Sequence, residues 1–270
     1  MRSILFSFLI VFFGFSLQAA EVDTLKVLSP SMNKEIKTVV VKPNSYNQID
    51  SLPVVYLLHG HGGNHAYWVN RVPEILKWAD HYNMIIVCPD GDRNSWYWDS
   101  PVTQNRYETF VSQELVQEID KQFKTIKNRK GRAITGLSMG GHGALYNAVR
   151  NQEVFGAAGS MAGGVDIRPF PNNWEMKNQL GSYSDNPEVW YNHSVIGNLH
   201  LLSPNSLALF IDCGEDDFFY EVNKELHKQL QYYNIPHVFM SGPGKHDVQY
   251  WGKTVLHQFL FFHEFFNSNK

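Results

Sequence analysis

Residues 133–141 read Ala-Ile-Thr-Gly-Leu-Ser-Met-Gly-Gly, which places Ser138 between glycines where a strand would pass into a helix. A serine hydroxyl is a poor nucleophile until a base takes its proton, and a Gly-x-Ser-x-Gly turn exposes the hydroxyl to such a base. Gly136 and Gly140 are small enough for the strand and the helix to approach each other. Ser138 is therefore the candidate nucleophile, although in a chain with 20 glycines the same pattern also fits an ordinary turn.

Apolar strands and amphipathic helices alternate on both sides of this turn. Runs typical of buried strands occupy residues 52–58, 84–88, 132–137, 157–162, 207–213 and 237–240, after an opening hairpin at 22–29 and 36–42. Helical spacing of apolar residues occupies 67–82, 107–123, 141–149, 219–233 and 248–266. The order predicts one α/β domain over residues 21–270, with a mostly parallel, twisted sheet of about eight strands and helices on both faces.

The alternation stops over residues 165–205. Pro, Asn, Trp and Tyr are frequent there, and only residues 188–192 show a short helical pattern. In parallel sheets, binding and catalytic residues gather in loops at the carboxyl ends of the strands. We interpret this segment as an insertion over the active site.

The N-terminus has the pattern of a secretory signal peptide over residues 1–20. Arg2 precedes an apolar run at residues 4–17, which ends at small residues near Ala19 and Ala20. The run is shorter than the roughly 20 apolar residues of a membrane span, and acidic residues follow it at once. We therefore expect cleavage near Ala19 or Ala20 and a secreted or periplasmic protein without a stable membrane anchor.

Composition narrows the possible partners. The formal net charge is −3 and becomes −4 when Arg2 leaves with the signal peptide, so a mildly acidic surface without a basic run argues against nucleic acid. Cys88 and Cys213 each end an apolar run and are either two buried free thiols or one disulfide. Neither the cysteines nor the 12 histidines have the spacing of a metal site, and no cofactor is expected.

Two later strand ends supply a base and an acid for Ser138. His246 follows the strand at residues 237–240, where it would take the serine proton while a buried carboxylate holds its other ring nitrogen. The strand at residues 207–213 is followed by three consecutive acids, Glu215, Asp216 and Asp217. Asp217 precedes an apolar pair that favours its burial, but spacing alone leaves the acid open, and a solvated acidic turn also fits.

Backbone amides are expected to stabilise the oxyanion that develops during acyl transfer. Met139 follows the candidate nucleophile and supplies one amide. The glycine-rich turn after the strand at residues 52–58 supplies the other, from His61 or Gly62. His59, at the end of that strand, is interpreted as a packed, hydrogen-bonded residue and not as a base.

An aromatic stretch follows the strand at residues 84–88. Its residues 94–100 include Trp96 and Tyr97, which the strand order places on the same rim as Ser138. Aromatic side chains on such a rim stack on sugar or phenolic rings. They can equally pack the insertion onto the sheet.

Together these motifs resemble the esterase group of α/β-hydrolases that includes esterase D-like enzymes, acetylxylan and feruloyl esterases, and the mycolyltransferases. The resemblance covers nearly all of the mature chain and implies an α/β-hydrolase fold. It rests on five motifs in order: Val55 to Gly63, Ser95 to Tyr97, Gly136 to Gly141, Asp212 to Gly214 with Asp217 and Phe218, and Gly244 to Asp247 with Tyr250 and Trp251.

The resemblance also implies roles for individual residues. Asp217, three residues after Gly214, becomes the acid of a Ser-His-Asp triad, and the second oxyanion amide falls on His61. The residues expected to contact the substrate are Trp96, Tyr97 and Trp251. Similar enzymes often carry an aromatic residue two positions after the catalytic histidine, where this chain has Val248, so the leaving-group side is expected to differ.

The sequence thus predicts an exported serine carboxylesterase that forms an acyl-enzyme at Ser138. Acetyl or feruloyl esters of plant polysaccharide are the expected substrates, because export and an aromatic rim accompany the resemblance. A general short-chain acyl esterase or acyltransferase is the alternative within enzymes. A carbohydrate-binding relative without activity is the alternative outside them, since one fold supports many functions.

Overall fold

A computed structural model describes residues 20–268, which build one eight-stranded sheet. The strands are β1 Glu21–Ser29, β2 Lys34–Lys42, β3 Val54–Leu58, β4 Ile85–Pro89, β5 Arg132–Gly136, β6 Ala157–Met161, β7 Ala208–Gly214 and β8 Val238–Gly242. Their order across the sheet is β1-β2-β4-β3-β5-β6-β7-β8. β2 is antiparallel to β1 and β4, and the other neighbouring pairs are parallel, which confirms the predicted sheet.

Outside residues 165–205, where the helix Lys177–Leu180 was not predicted, the helices follow the predicted order with two differences. They are α1 Tyr67–Arg71, α2 Ile75–Tyr82, α3 Tyr107–Thr109, α4 Leu115–Gln122, α5 Met139–Arg150, α6 Lys177–Leu180, α7 Pro187–Asn192, α8 Tyr220–Tyr232 and α9 Val248–Ser268. The helix predicted at residues 67–82 is divided in two, because Pro73 disfavours helical geometry at Val72. The helix predicted at residues 107–123 contains a π-helical turn, Phe110–Glu114, between α3 and α4.

Two apolar layers cover the sheet because successive strand residues point to opposite faces. In β3, Val54, Tyr56 and Leu58 face the layer that contains α4, α5 and α8. Val55 and Leu57 face the layer that contains α1, α2 and α9. Burial on both faces explains why the central strands are continuous apolar runs in the sequence.

The segment at residues 165–205 contains α6, α7 and a 3-10 helix, Ile196–Leu201. It packs on the α5 side of the sheet through buried side chains that include Trp190 and Leu180. The Ser100 hydroxyl donates to the carbonyl of Gln179 at 2.7 Å, which fixes α6 to the loop after β4. The predicted signal peptide lies outside the described residues, except for Ala20.

Cys88 and Cys213 are buried free thiols. Cys88 lies on β4 and Cys213 on β7, with β3, β5 and β6 between them, so the disulfide alternative is wrong. Burial raises the pKa of both thiols, which keeps them protonated and unreactive. Across residues 20–268, no helix combines the length and hydropathy needed to cross a membrane.

Candidate active site

Ser138 lies at the turn between β5 and α5 in a conformation that few non-glycine residues adopt, with φ 55° and ψ −118°. Its N–H donates to the carbonyl of Met161 at 2.9 Å, which holds the strained turn in place. A Cβ atom at Gly136 would lie 2.6 Å from the carbonyl carbon of Gly140. A Cβ atom at Gly140 would lie 2.5 Å from the carbonyl oxygen of Leu58. Both glycines are therefore required by close backbone contacts, as the sequence predicted.

His246 lies between Ser138 and Asp217. Its Nε2 is 2.9 Å from the Ser138 Oγ, and its Nδ1 is 2.7 Å from the Asp217 Oδ2. The other carboxylate oxygen of Asp217 accepts the N–H of Phe219 at 2.8 Å. This arrangement can move a proton from the hydroxyl to the ring while the carboxylate orients the ring.

The structure separates the three consecutive acids by burial. The Asp217 side chain has no exposed surface, whereas Glu215 and Asp216 are exposed. Phe219, which is buried, pulls the turn inward, while Phe218 remains about half exposed. The acid beside His246 is thus the one that the family resemblance implies.

Asp217 and His246 meet because the loops after β7 and β8 are hydrogen bonded to each other. The N–H of Glu215 donates to the carbonyl of Gly242 at 2.9 Å, and that of Asp216 donates to the carbonyl of Gly244 at 3.0 Å. Gly214 allows this approach, since a Cβ atom there would overlap the backbone of Gly244. Two loops 29 residues apart in sequence therefore present one acid and one base.

The turn after β3 lies beside Ser138. A Cβ atom at Gly60 would lie 3.4 Å from the Ser138 Cβ. The N–H of Gly62 already donates to the carbonyl of Arg93 at 2.8 Å, which leaves His61 as the available donor of the two that the sequence offered. Within residues 20–268, neither the His61 nor the Met139 N–H has a hydrogen-bond acceptor. These two amides are free to bind an oxyanion.

His59 is buried beneath this turn, in agreement with its interpretation as a packed residue. Its Nε2 accepts the N–H of Gly91 at 2.8 Å, so its Nδ1 carries the proton and donates to the carbonyl of Gly60 at 2.8 Å. The same turn is held by the Tyr97 hydroxyl, which donates to the carbonyl of His59 at 3.1 Å. His59 and Tyr97 therefore support the backbone that carries the His61 amide.

The prediction that Trp96 and Tyr97 contact substrate is wrong. Both residues have positive φ angles, and both side chains are buried. Tyr97 packs against α5, where a Cβ atom at Gly143 would lie 2.5 Å from its ring. Trp96 stacks on Trp98 with ring centroids 5.4 Å apart. The sequence places this stretch at the correct sheet edge but does not reveal that its loop folds back into the core.

A cavity of about 270 Å³ opens beside Ser138. Four aromatic side chains line it, Tyr67, Trp174, Phe218 and Trp251. Of these, the sequence predicted only Trp251, whose ring meets the His246 ring edge to face at 4.9 Å. The proximity of Phe218 to Asp217 was the available indication for that residue. Trp174 belongs to the irregular segment, where no periodicity indicates which side chains turn inward.

Trp174 reaches the cavity through an unusual backbone conformation. Trp174 and Glu175 both have positive φ angles. The Trp174 ring stacks on Phe218 with centroids 5.7 Å apart, and Phe218 contacts the His246 ring at 4.2 Å. The neighbouring Glu175 carboxylate lies 3.4 Å from the Arg93 guanidinium and 3.9 Å from His61 Nε2. The segment at residues 165–205 therefore forms one wall of the site.

A second cavity, of about 500 Å³, lies away from Ser138, beside Arg129, His237 and Phe261. It sits near the amino ends of β6, β7 and β8, opposite the end that carries Asp217 and His246.

In the part of the chain that the structure describes, no three His, Cys, Asp or Glu side chains are close enough to hold a metal ion.

Comparison with known proteins gives consistent matches. The family model described as "Putative esterase" matches residues 29–262. An acetyl esterase from Caldicellulosiruptor saccharolyticus is 28% identical over 244 residues, which are 82% of this chain and 88% of that protein. The diacylglycerol acyltransferase/mycolyltransferase Ag85A from Mycobacterium bovis is 31% identical over 223 residues, 74% of this chain and 63% of its own length.

Solved structures confirm the α/β-hydrolase fold. A ferulic acid esterase superposes with a TM-score of 0.79 at 28% identity, and the match covers 92% of this chain and all of that chain. An S-formylglutathione hydrolase from Staphylococcus aureus also has a TM-score of 0.79, at 21% identity over 91% of this chain, and indicates the fold alone.

Proposed function

The chain belongs to the esterase family of α/β-hydrolases and is a serine ester hydrolase, and from that premise we propose that it is an exported carboxylesterase with a Ser138–His246–Asp217 triad. The observation that carries the proposal is the position of His246, which is within hydrogen-bond distance of Ser138 on one side and Asp217 on the other. Nucleophile, base and orienting acid are the three groups that acyl transfer from a serine requires.

In the acylation step, the Ser138 Oγ attacks the ester carbonyl carbon while His246 Nε2 takes the hydroxyl proton. The negative charge that develops on the carbonyl oxygen is stabilised by the N–H groups of His61 and Met139. Asp217 stabilises the imidazolium of His246. Cleavage of the C–O bond leaves the acyl group on Ser138, and the imidazolium returns its proton to the departing alcohol.

In the deacylation step, water takes the place of the alcohol. His246 Nε2 removes a proton from the water as its oxygen attacks the acyl carbon, and the same two amides bind the oxyanion. Cleavage of the bond to Ser138 releases the carboxylic acid and returns the proton to the Oγ. An alcohol in place of water would give acyl transfer.

The acyl group is proposed to be an aromatic acid of the feruloyl type, with acetyl as the second candidate, on plant polysaccharide. The cavity of about 270 Å³ is near the lower end of the range for small-molecule sites and larger than an acetyl group requires. Its lining by Trp174, Phe218 and Trp251 favours a flat ring, because aromatic pairs are worth about 0.5–1.5 kcal/mol beyond their buried area. Relatives described as a ferulic acid esterase and an acetyl esterase support these two candidates.

Export is proposed from the N-terminal sequence. Arg2, the apolar run at residues 4–17 and the small residues at Ala19 and Ala20 have the order of a cleaved signal peptide. N-terminal sequencing of protein recovered outside the cytoplasm should begin at or just after Ala20. A mature protein that retains Arg2 would contradict export by this route.

Ser138→Ala tests the nucleophile. The variant should lose about 10⁵-fold in kcat for a short nitrophenyl ester, because a triad without its serine retains little of its rate enhancement. A fluorophosphonate probe should label the wild-type protein and not the variant. Labelling that persists in Ser138→Ala would refute the assignment, and an unlabelled wild type would favour a carbohydrate-binding protein without activity.

A panel of methyl ferulate, acetylated xylan and tributyrin tests the substrate. The aromatic cavity predicts the highest kcat/KM for methyl ferulate. A preference for tributyrin would indicate a general short-chain acyl esterase.

A further inference from the structure

Three polar side chains are fully buried in the apolar layer between α9 and the sheet. Thr135 lies on β5, Asp212 on β7 and Gln258 on α9. The residues around them are apolar and include Ala133, Val255 and other buried side chains, Ala157, Met161, Phe259 and Phe262. A buried polar group destabilises the fold unless it is hydrogen bonded. The presence of three such groups in an apolar layer therefore requires an explanation.

The three side chains form one hydrogen-bonded chain. The Gln258 amide nitrogen donates to the Asp212 Oδ2 at 2.6 Å. The Gln258 amide oxygen accepts a short hydrogen bond from the Thr135 hydroxyl. Gln258 therefore uses both ends of its amide to join α9 to two different strands.

The chain crosses the intervening strand β6 directly above Gly159. A Cβ atom at Gly159 would overlap the Gln258 amide oxygen and would lie 2.8 Å from the Thr135 hydroxyl. The absence of a side chain at this strand position thus creates the space through which Gln258 reaches both partners.

Each member lies on an element that leads directly to a proposed triad residue. Thr135 is three residues before Ser138 on β5, and Asp212 is five residues before Asp217 on β7. Gln258 lies on α9, which begins two residues after His246. One chain of hydrogen bonds therefore joins the three segments whose relative positions determine the triad distances.

Tyr250 connects this cluster to the loop of His246. Its hydroxyl and that of Thr254 lie near the Asp212 carboxyl, although among residues 20–268 the Thr254 hydroxyl has no hydrogen-bond partner. Its ring packs over Gly244, where a Cβ atom would overlap it, and its N–H donates to the Asp247 side chain at 2.9 Å. A shift of α9 relative to Asp212 would therefore move the loop that holds His246.

We propose that Thr135, Gln258 and Asp212 form a positioning network that fixes α9, and with it His246, against the strands that carry Ser138 and Asp217. The proposal deepens the proposed function and rests on it. None of the three residues lines the cavity at Ser138, so the network acts on the geometry of proton transfer and not on substrate binding. Small displacements of catalytic groups are expensive, since about 1 Å can cost about a hundredfold in rate.

The charge of Asp212 gives the network a dependence on pH. Burial raises the pKa of this carboxyl to about 7, against the opposing effect of the nearby Gln258, Thr254 and Tyr250 side chains. The other titratable groups near it are Cys213, Tyr250 and Asp217. The ionised carboxylate is the stronger acceptor of the Gln258 N–H and so holds α9 more firmly, whereas the neutral acid is a weaker acceptor.

The first experiment compares two network variants with a matched control. Gln258→Met keeps the side-chain length and removes both hydrogen bonds, and Thr135→Val removes one hydroxyl. The control Thr38→Val removes a buried hydroxyl on β2 that has no hydrogen-bond partner among residues 20–268, and β4 and β3 separate β2 from β5. For a short nitrophenyl ester we expect kcat to fall about 10–100-fold in Gln258→Met and about 3–10-fold in Thr135→Val, with KM changed less than about twofold.

The control should retain kcat within about twofold. Folded variants with the wild-type kcat would overturn the network, as would an equal loss in Thr38→Val. If Gln258→Met does not fold, Thr135→Val decides. The rate of fluorophosphonate labelling at Ser138 separates the two proposals, because a wild type that is not labelled refutes the triad, whereas a labelled wild type with unaltered variants refutes the network alone.

The second experiment measures pH dependence with Asp212→Asn, which cannot ionise. The ratio of wild-type to variant kcat should rise from about 1 at pH 5.5 to about 10 at pH 8.5, with a midpoint near 7. A purely structural role of Asp212 predicts a ratio that stays constant across this range. Such a result would show that the charge of Asp212 has no part in positioning His246.

Discussion

The turn that carries Ser138 depends on the identity of only a few residues. The φ of 55° at Ser138 exposes the hydroxyl, and this conformation persists only because the surrounding backbone determines it. Gly136 and Gly140 admit the neighbouring backbone at less than 3 Å from where a Cβ atom would lie. The residue types of the turn are therefore direct consequences of its geometry, and the sequence was sufficient to recognise it.

At the same scale, we predict that Asp217→Asn reduces kcat about 10³–10⁴-fold, because an asparagine cannot hold the tautomer that His246 needs or stabilise its imidazolium. The matched control is Asp216→Asn, one residue earlier and exposed, which should stay within about twofold of the wild type. The measurement is kcat for a nitrophenyl ester near neutral pH. A comparable loss in Asp216→Asn would contradict the assignment of Asp217 as the acid. Glu215, Asp216 and Asp217 would then remain as alternatives.

Gly159 gives a second prediction at the residue scale. Gly159→Ala should displace Gln258 from Thr135, because the new methyl group would occupy the position of the Gln258 amide oxygen. We expect a loss of kcat of about tenfold or more, similar to that of Gln258→Met, and little further loss when the two changes are combined. Additive losses in the double variant would show that the two residues act separately.

At the scale of elements, the aromatic wall of the site comes from the irregular segment at residues 165–205. Helices and strands produce periodic patterns of apolar residues in the sequence, so their existence and order could be predicted. Trp174 has no such pattern, and its position depends on two consecutive positive φ angles. The sequence therefore predicted that this segment lies over the site, but not which of its side chains enters it.

Trp174→Ala tests this wall. Loss of the stacked ring should raise KM for methyl ferulate about tenfold, equivalent to about 1.4 kcal/mol, and should change kcat/KM for a nitrophenyl acetate less than about threefold. Tyr191→Ala is the control, since Tyr191 belongs to the same segment but is exposed and does not line the cavity. Equal effects on both substrates would mean that Trp174 supports the fold and not the acyl group.

At the scale of the whole molecule, the sheet could be predicted because the central strands are buried on both faces and read as apolar runs. The direction of the loop after β4 was harder to predict. Trp96 and Tyr97 follow β4 at the correct edge, yet their loop turns into the core, because Gly91 and Gly143 leave space for the Tyr97 ring. Long-range packing of this kind is absent from local sequence patterns.

The buried Asp212 also affects the stability of the whole protein. Its pKa of about 7 in the folded state exceeds the ordinary value of 3.8, so the favourable contribution of the neutral acid is complete below about pH 4 and is lost as pH rises through 7. Asp212→Asn has no such dependence. The free energy of unfolding of the wild type should therefore fall relative to that of the variant by about 3 kcal/mol between about pH 5 and pH 8.

Urea unfolding of both proteins across this range measures the difference, and groups common to both, such as Asp90, cancel. The protein with ionised Asp212, which we expect to be the more active form, is then the less stable form. This is the direction expected where an active site is maintained at the expense of stability. A difference in unfolding free energy that does not change with pH would place the titration of Asp212 outside the neutral range. It would then also remove the basis for the pH-dependent ratio of kcat values, while leaving the Thr135 and Gln258 variants as the test of the hydrogen-bonded network itself.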